Sequence, residues 1–154
     1  MITVEPSSPK DAQAAALLGQ SHALMNELFP ADACHYLDLD ALCADHIRFF
    51  TAREGGTVLG TGALAIMDGY GEVKSMFTAP EGRGKGVAAA VLRMIEDTAQ
   101  DEDLPLLRLE TGVGLDAAHR LYERFGFSRC GPFGSYEDGP YSIFYEKTLT
   151  GSAL

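Results

Sequence analysis

Residues 72–100, E-V-K-S-M-F-T-A-P-E-G-R-G-K-G-V-A-A-A-V-L-R-M-I-E-D-T-A-Q, constrain the fold more than any other part of the chain. A strand-like run at 73–78 leads into a polar crossing that carries Pro80, and then into Gly82, Arg83, Gly84, Lys85 and Gly86. A helix opens at once. Val87, Val91, Leu92 and Ile95 recur at helical spacing, and no breaker intervenes before Gln100. A strand that feeds glycines into a helix start is an anion-binding arrangement. The first-turn N–H groups lack intrahelical partners, and the dipole places partial positive charge at the same end. Glycines let a phosphate approach that backbone closely, and Arg83 and Lys85 add full charges.

Three phosphate loops compete for this stretch. A Walker A loop needs a hydroxyl residue after its lysine, and Gly86 follows Lys85, so that reading fails. A dinucleotide fingerprint fits Gly84, Gly86 and Ala89, with Glu110 spaced as a ribose-binding acid. Against it, Ala79, Pro80, Glu81, Gly82 and Arg83 separate the strand from Gly84, and the chain is short for two mononucleotide-binding halves plus a substrate domain. The third pattern is [Q/R]-x-x-G-x-[G/A], which Arg83, Gly86 and Ala88 satisfy within R-G-K-G-V-A. Further on, L-Y-E-R-F-G-F at 121–127 matches L-Y-x-x-x-G-F. With these two motifs in this order, the chain resembles the GCN5-related N-acetyltransferases (the GNAT family) over roughly residues 58–149. The pieces E-V-K-S-M, L-E-T-G and P-F-G-S-Y also resemble a subgroup of small bacterial members.

The resemblance implies an α/β (α+β) chain with the GNAT fold. Its single mixed, mostly antiparallel sheet has about six or seven strands and about four flanking helices, with two central parallel strands that splay apart. Acetyl-CoA would lie in the splay, its pantetheine acting as a surrogate strand against the backbone of Met76, Phe77 and Thr78. Those N–H groups would also polarise the thioester carbonyl. The pyrophosphate would rest on Arg83, Gly84, Lys85, Gly86, Val87 and Ala88. The reaction implied is direct attack by an amine. A primary amine of pKa ~10.4 needs roughly 4–5 kcal/mol to reach its neutral form at pH 7, so a carboxylate that takes the proton is expected.

Glu72 is the first candidate base, four residues before Met76; alternation would put Glu72, Lys74 and Met76 on one face, subject to any bulge. A Glu72–Lys74 surface pair explains the same pattern equally well. Glu110 is the second candidate, with an orienting or ion-paired role ahead of base catalysis. Tyr122 matches the family's general acid toward the CoA thiolate; core packing with Leu115, Ala118, Leu121 and Phe125 is the competing explanation. The family often has Asn seven residues earlier, where this chain has Leu115. Tyr136, Tyr141 and Tyr145 are acceptor-pocket candidates, with packing as the default, and the four histidines have no metal spacing. The resemblance calls for acetyl-CoA and no metal. A non-catalytic acyl-CoA-binding module is the alternative of a different class, and a nucleotide-binding fragment using NAD the weakest.

Length and composition bound the rest. At 154 residues the chain reads as one domain, 1–154, able to bury a core. A net charge of −10 argues against a nucleic-acid surface and mildly favours cationic substrates. Cys34, Cys43 and Cys130 form neither a disulfide framework nor a zinc site, which points to reduced thiols in the cytoplasm. No signal peptide or membrane span is expected, and a homodimer is compatible with the resemblance. Strands are expected at 2–5, 47–53, 57–66, 70–78, 104–110, 127–133 and 141–149. Helices are expected at 11–28 with a cap from Ser7 or Ser8, around 39–43, from 87 to 100, and from a cap at Asp116 to 125. The acids at 101–103 oppose the dipole of the long helix, so they should splay into water.

Overall fold

The computed structural model describes residues 1–149. Four strands, β1 (Ile2–Pro6), β2 (Ile47–Glu54), β3 (Thr57–Ile66) and β4 (Gly71–Thr78), form an antiparallel meander. β5 (Leu106–Gly112) then lies parallel to β4, and β6 (Ser128–Cys130) and β7 (Ser142–Thr148) complete a sheet of order β1-β2-β3-β4-β5-β7-β6. A single parallel pair in a seven-stranded sheet is the mixed topology expected of the resemblance. It removes the dinucleotide reading, which requires a doubly wound parallel sheet.

Helices cover both faces. α3 (Val87–Asp101) and α4 (Asp116–Arg124) seal one side through Val91, Leu92, Ile95, Leu121 and Tyr122, packed on Leu64, Val73, Leu107 and Leu109. α1 (Ala12–Leu28) and the short α2 (Leu39–Leu42) seal the other through Ala14, Leu18 and Leu42 against Phe49, Ala63 and Ala65. Alternation along β3 explains the division: Leu64 faces one layer, and Ala63 and Ala65 face the other.

Local chemistry sets most boundaries. Asp11, rather than Ser7 or Ser8, caps α1, accepting from the Ala14 N–H at 3.1 Å. Asp38 caps α2 in the same way. Asp116 is the first residue of α4 and not its cap; Leu115 precedes it without a side-chain cap. Gly126 follows α4 with φ +92°, the left-handed stop expected of it. Of the acidic turn, Glu102 does more than splay into water, since it pairs with Arg48 at 3.1 Å.

Two features of the β3–β4 pair position the site. First, Thr61 pairs with Phe77 and Ala63 with Lys74, so Ser75 and Met76 together oppose Gly62. Ser75 takes φ +58° at this bulge. The extra residue reverses the alternation. Glu72 and Lys74 share a face, but Met76 turns to the α3 side, its sulfur 2.8 Å from where a Cβ on Gly62 would stand. Second, α3 lies directly on β3, because Gly60 and Gly62 leave room for Val87 and Val91. A Cβ on Gly60 would run into Val87 and lie 3.2 Å from the Phe77 carbonyl oxygen. Gly60→Ala is therefore expected to cost about 1–3 kcal/mol by overpacking. Urea denaturation should show a lower midpoint at unchanged slope; an unaltered midpoint would mean that α3 can shift freely.

Candidate active site

The parallel pairing of β4 with β5 stops after Gly71–Leu107 and Glu72–Arg108. Beyond that point β5 stays with β7, while β4 from Val73 to Thr78 has no neighbour on its β5 side. Backbone N–H and C=O groups need partners, so this edge is built to pair with something extended. The opening is a cleft of about 890 Å³, lined by Met76, Phe77 and Thr78 on one wall and by Glu110, Leu115 and Tyr122 on the other.

The glycine loop closes one end of the cleft. Gly84 and Gly86 have φ +78° and +77°, Gly86 is the N-cap of α3, and a Cβ on either would meet nothing within 4 Å. The loop is therefore held by left-handed glycines over open space, with first-turn N–H groups of α3 facing it. Arg83, Gly84, Gly86, Val87 and Ala88 line the cleft. Lys85 does not; its ammonium is 2.7 Å from Glu54 on β2, so its charge is turned away from the loop's open side. Arg124, at the C-terminal end of α4, lines the cleft instead.

Tyr122 reaches the cleft from α4. Its ring packs against Phe127 and Tyr145 at centroid distances of 5.8 and 6.1 Å, so it is packed in the core and lines the cleft at once. The hydroxyl makes no hydrogen bond to another described side chain. Burial, and secondarily the charge of Glu110, push its pKa up, which keeps it protonated.

A second cavity of about 630 Å³ adjoins the cleft and shares with it the wall formed by Ala33, His35, Tyr36, Lys74 and Tyr141. Glu72 and Lys74 do pair, at 3.3 Å, but inside this cavity's wall and not on the surface: their side chains are only 8% and 11% exposed. The Tyr136 hydroxyl donates to the same Glu72 oxygen at 2.5 Å. Glu110 lines the larger cleft and is tied to the second cavity through Ser142, which lines the latter. Burial raises its pKa, Ser142 Oγ donates to it at 2.8 Å, and it feels the charges of Lys74 and Glu72.

A splayed parallel pair, a left-handed glycine loop on a helix N-terminus and a tyrosine at the cleft are the arrangement that the two sequence motifs implied. The Acetyltransferase (GNAT) family profile matches residues 20–127. The chain belongs to the GNAT family.

Relatives agree along the whole length. An "IAA acetyltransferase" of Azospirillum brasilense is 42% identical over 150 residues, covering 96% of this chain and 98% of the relative. An "Uncharacterized N-acetyltransferase YedL" of Escherichia coli is 38% identical, covering 97% and 96%. A Klebsiella pneumoniae crystal structure, provisionally described as an acyl-CoA N-acyltransferase, superposes with TM-score 0.85 at 32% identity over 97% and 98% of the two chains. The fold is also that of a GNAT family acetyltransferase from Elizabethkingia anophelis with acetyl-CoA bound (TM-score 0.68, 19% identity, 96% and 98% covered). This protein is thus an N-acetyltransferase.

Sequence reasoning about this acetyltransferase missed the surroundings of Glu72. Tyr136 lies 64 positions away, and nothing local in E-V-K-S-M announces it. The Lys74 ammonium had one signal, its alternation with Glu72. His35 borders both cavities, and its carbonyl accepts from Lys74 at 3.0 Å. His119 has a structural partner: its ring nitrogen meets the Gly112 carbonyl at 2.8 Å. No described helix is long and apolar enough to cross a membrane.

The position of Glu110 carries a stability prediction. Its folded pKa lies above the ordinary carboxyl value because burial disfavours the anion. The folded state then binds the extra proton in the window between the two values, so stability falls as pH rises through that window and stays reduced above it. Glu110→Gln removes the buried charge. Its melting temperature relative to wild type should therefore rise as pH is increased from the acid range to neutrality; a difference independent of pH would refute the buried-anion assignment.

Proposed function

We propose that this acetyltransferase passes acetyl from acetyl-CoA to a primary amine by direct attack across the junction of the two cavities, with 1–154 acting as one domain. The single observation that supports it is the end of β4–β5 pairing at Glu72–Arg108, beside a glycine loop on the α3 N-terminus. Bound acetyl-CoA supplies an activated thioester. The free edge of β4 offers backbone partners to its pantetheine amides, and Gly84, Gly86 and the first-turn N–H groups, with Arg83 and Arg124, hold its phosphates. Leu115, where the family often has Asn, offers no polar contact.

In this reading the amine enters through the 630 Å³ cavity. Glu110 takes a proton from the incoming ammonium, as a carboxylate whose pKa burial has raised toward neutrality is suited to do. We assign this step to Glu110 in preference to Glu72, because one Glu72 oxygen is already committed to Tyr136 and Lys74. The N–H groups at the β4 bulge hold the carbonyl oxygen as the nitrogen–carbon bond forms and the carbon–sulfur bond breaks. Tyr122 donates to the departing sulfur. Two protons leave the nitrogen: one goes to Glu110 before attack, and the other, lost once the nitrogen–carbon bond has formed, restores the Tyr122 phenol after its hydroxyl has protonated the sulfur.

Three free cysteines among the described residues accord with a reducing compartment such as the cytoplasm. Calorimetric titration with acetyl-CoA, with NAD as control, tests the donor, and release of free thiol over an amine panel tests transfer. Acetyl-CoA binding with amine-dependent thiol release is expected. Binding without release from any amine would leave an acyl-CoA-binding module, and no binding would end the assignment.

A further inference from the structure

Among the described residues the acceptor cavity is lined by one lysine, and its ammonium is already engaged: it makes two hydrogen bonds and one ion pair. An ammonium has three N–H donors and no more. Lys74 Nζ lies 2.8 Å from the Tyr136 hydroxyl, 3.0 Å from the His35 carbonyl and 3.3 Å from Glu72 Oε2. Those three partners sit on three separate pieces of chain: the segment before α2, β4 itself, and the connection between β6 and β7. The group is a strut that holds two loops over the cavity. Two of its three donors are committed to the protein, and its charge is balanced by Glu72, so it offers a substrate carboxylate no net positive charge.

The remaining charges around the cavity are negative. Asp32, Glu137 and Asp138 line it, are exposed, and make no ion pair among the described residues. Glu110, which lines the adjoining cleft, accepts from Ser142 Oγ and makes no ion pair among the described residues. No described arginine lines the cavity; Arg108, over the rings of Tyr70 and Phe133, is paired with Glu146. His35 and His46, in the wall, are the other titratable nitrogens.

From this we infer that the acceptor is an amine without a carboxylate beside its amino group, with additional positive charge read by Glu137 and Asp138 on the β6–β7 connection. A carboxylate on the acceptor would enter a wall whose lysine is already neutralised by Glu72, next to carboxylates without an ion-pair partner among the described residues, and like-charge juxtaposition excludes partners strongly. Lys74 and Tyr136 are positioning residues in this account. The inference rests on the acceptor cavity of the proposed transfer, and binding, not turnover, decides it.

The test is calorimetric titration of matched pairs, cadaverine against lysine and tyramine against tyrosine, into the protein with saturating CoA. The decarboxylated member should bind at least about tenfold more tightly, and cadaverine more tightly than tyramine. Added salt should weaken cadaverine most, because the rim charges are exposed. Replacing Glu137 by Gln and Asp138 by Asn keeps shape and removes charge. Cadaverine affinity should then fall about three- to tenfold. The inference is overturned if the amino acids bind as well or better, if neither member of a pair binds, or if the neutralised rim leaves cadaverine unaffected. Thiol release reads the transfer separately. Preference for the amines without release would keep this inference and remove catalysis, whereas release with lysine and tyrosine at equal rates would do the reverse.

Discussion

Arg83→Glu is expected to weaken acetyl-CoA binding about a hundredfold or more while leaving the fold intact. Arg83 is exposed, lines the cleft beside Gly84 and Gly86, and has no carboxylate partner among the described residues, so its reversal removes nothing from the core. One charge-assisted hydrogen bond to a phosphate is worth about 1.5–3 kcal/mol. The new carboxylate adds repulsion against the same group, at a helix terminus that favours anions. Titration at fixed ionic strength measures the loss, and the thermal transition of the free protein should not move by more than a degree or two. Lys85→Glu is the internal control. Lys85 is engaged by Glu54 and does not line the cleft, so its reversal should affect affinity far less. Equal losses from the two variants would show that the loop acts through general charge and not through the geometry described.

Tyr122→Phe is expected to lower kcat by about 100- to 1000-fold, roughly 3–4 kcal/mol of barrier, with acetyl-CoA affinity nearly unchanged. The ring is 5% exposed, packed on Phe127 and Tyr145, and Phe keeps that packing. Only the hydroxyl goes, and it holds no described side chain. Stability should therefore be equal or slightly greater, since a polar atom leaves the interior. A fall in kcat without a fall in stability separates a hydroxyl acting at sulfur from one that merely fills space. Unaltered turnover would return Tyr122 to the core. Because burial and Glu110 both hold the phenol protonated, its titration should not appear as an alkaline limb at ordinary assay pH, in wild type or in Glu110→Gln.

How much of this was legible beforehand depended on the range of each interaction. The glycine loop was readable because Arg83, Gly84 and Gly86 do their work within one turn of chain, where residue type and backbone geometry are tightly linked. The order of strands and helices followed from periodicity, and β3 was placed at its observed bounds, Thr57–Ile66. Errors fell where two local solutions were close in energy. Ser7, Ser8 and Asp11 all qualify as caps, and only the path out of β1 chose Asp11. The bulge at Ser75 misplaced Met76, since a serine at φ +58° has no signature that distinguishes it from one in a regular strand. The partners of Glu72 were out of reach altogether: a pair such as Glu72 and Tyr136 is made by sheet topology, not by neighbours in sequence.

By itself, then, the sequence determined the family, the element order and the phosphate-binding end of the cleft, because those are written in short motifs whose physics is local to a strand end and a helix start. Tertiary structure alone decided the acceptor side. It turned Lys85 toward Glu54, buried Lys74 against Tyr136, His35 and Glu72, and brought Glu110 and Tyr122 into one cleft, where the charge of Glu110 acts on the phenol. Side-chain charges exert their effect through distance and burial, and neither is defined until the sheet has closed around them.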